Sequence, residues 1–257
     1  MILDDIAASA KKRVDRDKRE RGQAVREAAE QLGKLEGSPF MAQIQQPELS
    51  FICEIKKASP SKGVIRESFP YLDLAKEYEA AGANAVSVLT EPEYFQGSSV
   101  YLQEIAQTIA LPVLRKDFIV DVFQIYEART LGAAAVLLIA AITDDRQLKE
   151  YLACCRSLGL DALCEAHNEE EVRRLAAAGA DIIGINNRNL KDFTVHMETS
   201  LQLRSLIPAE AACISESGIQ TKDDIQALRS AGYDGVLIGE TLMRSASISR
   251  TLQELRQ

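Results

Sequence analysis

Residues 178–183 read Ala178-Gly179-Ala180-Asp181-Ile182-Ile183: a helix-ending glycine, a short loop and the start of an apolar strand. The phrase returns at Ala81-Gly82-Ala83-Asn84-Ala85-Val86, Leu131-Gly132-Ala133-Ala134-Ala135-Val136, Leu158-Gly159-Leu160-Asp161-Ala162-Leu163 and Ala231-Gly232-Tyr233-Asp234-Gly235-Val236. Helix starts fall between these phrases, with capping-box-like pairs at Asp121 to Gln124, Asn168 to Glu171 and Thr221 to Asp224. Strands are expected near 50–56, 84–90, 111–116, 134–140, 161–166, 181–186, 211–216 and 234–239. Helices are expected near 71–81, 99–109, 121–131, 144–158, 169–178, 198–206, 221–231 and 241–256. Eight parallel strands with crossover helices close most simply into an α/β barrel of the (β/α)8, or TIM, type. An open doubly wound sheet shares much of the pattern, but no glycine-rich dinucleotide fingerprint follows the first strand.

Ahead of the first strand, residues 1 to about 33 set Ile2, Ile6, Val14, Val25 and Leu32 among dense charges and read as a helix. The chain is expected to be one domain over 1–257, with 1–47 a helical extension packed on a barrel of 48–257. The extra helix either covers one barrel end or serves as a lid over the mouth. Segments 58–70 and 91–99 are long for strand-to-helix loops, and such loops surround the active site of a barrel; they are expected to be mobile and to cover substrate.

The run Cys53-Glu54-Ile55-Lys56-Lys57-Ala58-Ser59-Pro60-Ser61-Lys62-Gly63 shows why the strand ends matter. A spacing of two in a strand puts Glu54 and Lys56 on one face. Charges facing a strand-built interior must be paired or must serve a ligand, since an unpaired one costs on the order of several kcal/mol. Lys116, Glu165 and Glu216 each end a further apolar run, and Asn186 ends another. A barrel gathers all six at one end. A salt-bridge layer closing the barrel top would satisfy the same charges without a substrate.

Ser217-Gly218 follows the seventh strand and Gly239-Glu240 the eighth, where barrels commonly hold a phosphate. Glycine lets backbone approach a ligand, and helix starts beyond these strands add a favourable dipole. Glu240 is expected to offer its backbone N–H, because its carboxylate would repel an anion. Lys56 or Arg188 can add charge-assisted bonds, and Asn186 suits sugar-like hydroxyls. Ser59-Pro60 begins a loop with a fixed turn and a hydroxyl near the mouth. Phe118, Leu137 and Leu190 offer an apolar slot.

Composition narrows the function classes. With 257 residues, 46% hydrophobic, the chain can bury a large core. A net charge of -8 without a basic tract disfavours nucleic acid as a partner. No apolar run is long enough to span a bilayer, and acidic residues near the start argue against a transit peptide. The five cysteines lack CxxC spacing and read as reduced core residues in the cytoplasm. Two well-separated histidines make a dedicated histidine metal site unexpected. A monomer is expected, with a weak homodimer as the alternative.

From Glu54 to its end the chain resembles the indole-3-glycerol phosphate synthase family, barrel enzymes of tryptophan biosynthesis. The resemblance rests on Glu54-Ile55-Lys56-Lys57-Ala58-Ser59-Pro60-Ser61-Lys62-Gly63, Val88-Leu89-Thr90-Glu91 with Phe95-Gln96-Gly97-Ser98, Arg115-Lys116-Asp117-Phe118-Ile119, Glu165-Ala166-His167, Gly184-Ile185-Asn186-Asn187-Arg188-Asn189-Leu190, Ser215-Glu216-Ser217-Gly218-Ile219 and Leu237-Ile238-Gly239-Glu240. The segment before the barrel matches the extra helix of that family. The resemblance implies conversion of 1-(2-carboxyphenylamino)-1-deoxyribulose 5-phosphate into indole-3-glycerol phosphate with loss of carbon dioxide and water, without cofactor or metal. Lys116 is then the acid of ring closure, and Lys56 and Glu165 are placed for the acid and base of dehydration. Which of the three acts in which step stays open. Glu54 orients the lysines, and Glu216 with Asn186 holds the ribulose-derived hydroxyls. The alternatives are a Schiff-base aldolase using Lys116 or Lys56, and a non-catalytic sensor of phosphorylated ligands.

Overall fold

The computed structural model describes residues 2–189 and 192–257. Eight parallel strands close a barrel: β1 (Ser50–Ile55), β2 (Ala85–Leu89), β3 (Val113–Lys116), β4 (Ala135–Ile139), β5 (Asp161–Ala166), β6 (Ile182–Asn186), β7 (Ala212–Glu216) and β8 (Gly235–Ile238). Each pairs with its chain neighbours, and β1 with β8 completes the circle. Alternation sorts the side chains. Ile52, Leu114, Leu137, Leu163, Ile182, Ile214 and Leu237 fill the interior, while Phe51, Val113, Val136, Ile183 and Val236 pack outward under the helices.

The outer ring comprises α3 (Tyr71–Ala80), α4 (Ser99–Thr108), α5 (Val122–Thr130), α6 (Asp145–Leu158), α7 (Glu169–Ala178), α8 (Glu198–Leu203) and α9 (Lys222–Ser230), ending with α10 (Glu240–Met243) and α11 (Ile248–Arg256). Five of the strand-entry glycines, Gly82, Gly132, Gly159, Gly179 and Gly232, have φ between +73 and +86°, as the recurrent phrase requires. Two sequence expectations need correction. The last helix is two, because Ser247 caps a new start by accepting from the Arg250 N–H. Among the capping pairs, Thr221–Asp224 is a reciprocal box; Asn168 accepts from the Glu171 N–H, but the Glu171 carboxylate takes the His167 N–H and the Asn168 side-chain amide in place of the Asn168 backbone. The Gln124 side chain bonds Val120 and Phe118, and Asp144–Gln147 forms a box that the sequence reading missed.

The N-terminal extension has two parts. α1 (Ile2–Gln31), about 45 Å at 1.5 Å per residue, runs down the outside of α5, tied by Lys18 to Asp121 at 2.7 Å, by Arg21 to Glu127, and by Arg26 stacked over Tyr126. α2 (Pro39–Ile44) then closes the opposite end, burying Phe40 and Ile44 against the interior cluster, with the Met41 N–H donating to Asp161 and the Ser50 hydroxyl to the Gln43 carbonyl. α2 covers the barrel floor, and the first residues of α1, the helix expected from the sequence, reach the mouth.

All five cysteines are free thiols. Cys53, Cys164 and Cys213 face outward from strands, and burial pushes each up to about 12. Cys154 is only half-buried, so the core reading holds for four of the five.

Candidate active site

A cavity of about 820 Å³ opens at the carboxyl ends of the strands. It is lined by Glu54, Lys56, Ser59, Pro60, Lys116, Phe118, Leu137, Glu165, Asn186, Arg188, Glu216, Ser217, Gly218, Gly239 and Glu240. Leu190 lies outside the described residues. Strand pairing explains the convergence: Asn186 is level with Glu216, Gly184 with Glu165, and Lys116 with Leu89, so these side chains share one end of the interior.

Lys116 is the focus. Its Nζ lies 2.9 Å from Glu216 Oε2, 3.7 Å from Glu165 Oε2 and 3.8 Å from Glu54 Oε2. Burial lowers the affinity of this ammonium for its proton, but the three carboxylates outweigh that and raise it well above the ordinary lysine range. Lys56 donates to Glu54 Oε1 at 2.5 Å. Glu54 therefore bridges the two lysines, and although burial pushes it up, their charges hold it below the usual carboxylate range.

The other two carboxylates diverge. Burial pushes Glu216 up to about 7, which Lys116 only partly offsets, and its Oε1 is buried with no hydrogen-bond partner among the described residues. Glu165 suffers the same burial but faces His167 as well as Lys116, and these bring it down to about 2. Two glycines make room for the carboxylates. A Cβ on Gly184 would lie 2.3 Å from Glu216 Oε1, and one on Gly239 would lie 2.5 Å from Glu54 Oε1. The space at Gly239 is thus taken by Glu54, and what this position offers an anion is its backbone alone.

At the seventh strand end, Ser217 and Gly218 have φ of +68 and +84°. A serine in the left-handed region costs on the order of 1 kcal/mol or more and persists only where its surroundings enforce it. Asn187 supplies that enforcement: its amide donates to the Ser217 carbonyl at 3.0 Å and to Ser215 Oγ at 3.1 Å, while its oxygen accepts from Ser200. Facing this turn, the Glu240 carboxylate lies 3.1 Å from Arg244, 3.7 Å from Arg188 and 3.8 Å from Lys62. The Glu240 carboxylate thus pairs with three cations, Lys62, Arg188 and Arg244.

Phe118 packs against Phe95 with tilted rings whose centroids are 6.0 Å apart, and both line the cavity with Leu137, Ile2, Leu3 and Ile6. The segment after β2 is folded around the buried Glu91, which accepts from the N–H groups of Glu93, Tyr94 and Phe95. Sequence reasoning also passed over Lys62, Arg244, Asn187 and His167. Lys62, His167 and Asn187 stood inside quoted motifs, but Arg244 carries no signal before the helix after β8 is folded.

The model of the indole-3-glycerol phosphate synthase family matches residues 3–255. The chain belongs to this family. The synthase of Ruminiclostridium cellulolyticum is 53% identical over 257 residues, 100% of this chain and 99% of its own. That of Lacticaseibacillus paracasei is 48% identical over 95% of each chain, and that of Endomicrobium trichonymphae 48% identical over the full length of both. Among solved structures, a 3-hexulose-6-phosphate synthase from Salmonella typhimurium superposes with a TM-score of 0.67 at 14% identity, over 81% of this chain and 97% of that one. At that identity the likeness speaks for the barrel alone. As an indole-3-glycerol phosphate synthase the chain is a carboxy-lyase of tryptophan biosynthesis that acts on a phosphorylated small molecule. No described helix is long and apolar enough to cross a membrane.

Proposed function

We propose that the polar groups divide the three steps of indole-3-glycerol phosphate formation as follows. The Ser217–Gly218 turn, the backbone at Gly239 and Glu240, and the cations Lys62, Arg188 and Arg244 take the phosphate. Asn186 and Glu216 hold the hydroxyls of the ribulose-derived chain. The aryl ring lies against Phe118 and Leu137, which bends the substrate so that the carbon bearing the carboxylate meets the ketone.

The observation that carries the reading is Lys116 at the focus of three carboxylates on the cavity floor. An ammonium held this firmly gives up its proton only to a strongly basic atom. The ketone oxygen becomes such an atom as the ring closes and it gains charge. Lys116 is therefore the acid of ring closure, and carbon dioxide leaves as aromaticity returns. In dehydration Lys56 protonates the departing hydroxyl and Glu165, kept ionised by His167 and Lys116, accepts the proton from carbon. Glu54 orients both lysines. The same surroundings weigh against the aldolase reading, because a Schiff-base lysine needs a free amine and Lys116 holds its proton.

Single-turnover kinetics, with carbon dioxide release and indole fluorescence followed separately, test the division. Lys116→Met should lower kcat about 100-fold or more with substrate still bound. Lys56→Met should raise KM or accumulate a decarboxylated, still hydrated intermediate. Carbon dioxide release at the wild-type rate by Lys116→Met, stalled before the indole, would reverse the two assignments. The free thiols fit a reducing compartment, and a cytosolic monomer folding as one domain completes this reading; sedimentation of the purified chain tests the monomer.

A further inference from the structure

His167 follows β5 by one residue and does not line the cavity, yet both of its ring nitrogens face carboxylates. Nε2 lies 3.2 Å from Glu165 Oε1 and Nδ1 lies 3.1 Å from Glu171 Oε2. The first is a charge contact, not an aligned hydrogen bond, since the buried Nε2 has no partner of hydrogen-bond geometry among the described residues. Glu171 is itself fixed, accepting from the His167 backbone N–H at 2.8 Å and from the Asn168 amide at 2.7 Å. A neutral imidazole carries one N–H and one lone pair, so either tautomer would turn a lone pair on a carboxylate. Only the imidazolium suits both neighbours.

This matters for the charge pattern of the site. Glu54, Glu165 and Glu216 share the charge of Lys116, and Lys56 serves Glu54 alone. One carboxylate is left without a cation of its own unless a third positive group joins, and His167 joins on the Glu165 side, away from the cavity.

We propose that His167 is a positioning residue of the dehydration step: clamped as an imidazolium between Glu165 and Glu171, it aims Glu165 and keeps it a carboxylate, so that Glu165 and not Glu216 is the base. In that step Glu165 takes the proton from carbon as the carbon–oxygen bond breaks, and the hydroxyl leaves as water with a proton from Lys56. No oxidant or reductant is involved. The inference rests on reading Glu165 as the base. The charged and polar groups acting on the pair are Glu171 from α7, Lys116 from β3, Asn186 from β6, Glu216 from β7 and Glu54 from β1. Burial alone would lower His167, but the two carboxylates raise it to about 10, in keeping with the geometry.

The test is a pH–rate profile of the wild type, His167→Gln and Glu171→Gln, with nitrogen-15 NMR of the histidine rings. Glutamine can still donate to Glu165 but carries no charge. Loss of a neighbouring cation raises a carboxylate by about 1 to 3 pH units. The acid limb of kcat for His167→Gln should therefore move up by one unit or more, with KM unchanged and the deficit against wild type closing by pH 8.5. Glu171→Gln should move it less, in the same direction. In the spectrum His167, told from His196 by a His196→Asn variant, should remain imidazolium at pH 8 and lose that state in Glu165→Gln. An unshifted limb, a loss of rate equal at all pH values, or a His167 ring titrating near 6.5 would overturn the proposal. Glu165→Gln separates the two layers. If it turns over like wild type, the base reading fails; if it stalls at the hydrated intermediate while His167→Gln keeps its limb, only the role of His167 fails. The NMR titration of wild type stands even if a variant does not fold.

Discussion

Gly184 and Glu216 compete for one volume, since a Cβ added to Gly184 would lie 2.3 Å from Glu216 Oε1. Gly184 sits one strand over, level with Glu165, and its missing side chain is what allows three carboxylates to surround Lys116. Gly184→Ala should push Glu216 from its 2.9 Å contact with Lys116. Displacement by about 1 Å at a reacting centre can cost on the order of 100-fold, so kcat/KM should fall by about that factor. The fold should lose about 1–3 kcal/mol from overpacking. Steady-state kinetics and urea melts check both, and full activity in a folded Gly184→Ala would show that Glu216 is not needed where it stands.

The same carboxylate should mark the dependence of stability on pH. Glu216 is raised by burial from 4.5 to about 7 in the folded protein. Between those values the unfolded chain releases the proton first, so stability falls as pH rises from about 4.5 to 7 and stays lowered above. Glu165 runs the other way: lowered to about 2, it adds stability above 4.5 that is lost as pH falls toward 2. Glu216→Gln removes only the first effect. Its melting temperature relative to wild type should climb by a few degrees between pH 5 and pH 8, as read by scanning calorimetry. Parallel curves would mean that Glu216 is ionised throughout.

How much of this was legible beforehand follows from what kind of physics each feature uses. The eight strands and their helices were legible because glycine at a left-handed helix end and apolar strand runs are local signals. The convergence of Glu54, Lys116, Glu165 and Glu216 followed once the barrel was inferred, since barrel closure places strand ends together. What stayed hidden depends on which side chain fills which space. The contact of Glu54 with the hollow at Gly239 is one such feature. The three cations that gather around Glu240 from separate segments are another. His167 was one residue of a motif until folding set its ring between two carboxylates.

Arg13 and Asp117 link the N-terminal helix to the end of β3. The buried Asp117 accepts from Arg13 at 2.8 Å, Thr90 at 2.7 Å, Arg115 at 3.1 Å and the Phe118 N–H at 2.9 Å. It stands between Lys116 and Phe118 in the chain, so its placement sets both. Arg13→Ala leaves Arg115 as the remaining cation and should cost about 1–3 kcal/mol. It should also lower kcat, while Arg13→Lys should restore part of each. Denaturant melts with parallel kinetics check this; a stability loss without any change in kcat would show that Asp117 supports the fold but not the site.

The Ser217–Gly218 turn, proposed to take the phosphate, gives the last prediction. The residue types suggest Gly218→Asp as a clean probe of charge repulsion with the fold retained, but the structure makes it a mixed one. Gly218 has φ of +84°, and a Cβ there would lie 2.5 Å from Val195 Cγ1. Any side chain is strained at this φ and also pushes on Val195, whatever its charge. Gly218→Ala isolates the backbone effect: a left-handed alanine costs roughly 1–2 kcal/mol, which would distort the turn and weaken binding of substrate and of inorganic phosphate by about 10-fold. Adding Val195→Ala removes the clash but not the strained φ. The double variant should therefore recover part of the affinity and more of the stability. Inorganic phosphate as a competitive inhibitor is the readout, since it probes the subsite without the aryl group. If Gly218→Ala lowers stability yet leaves phosphate inhibition at its wild-type strength, the anion is held elsewhere in the cavity, and the cations around Glu240 become the subsite to test next.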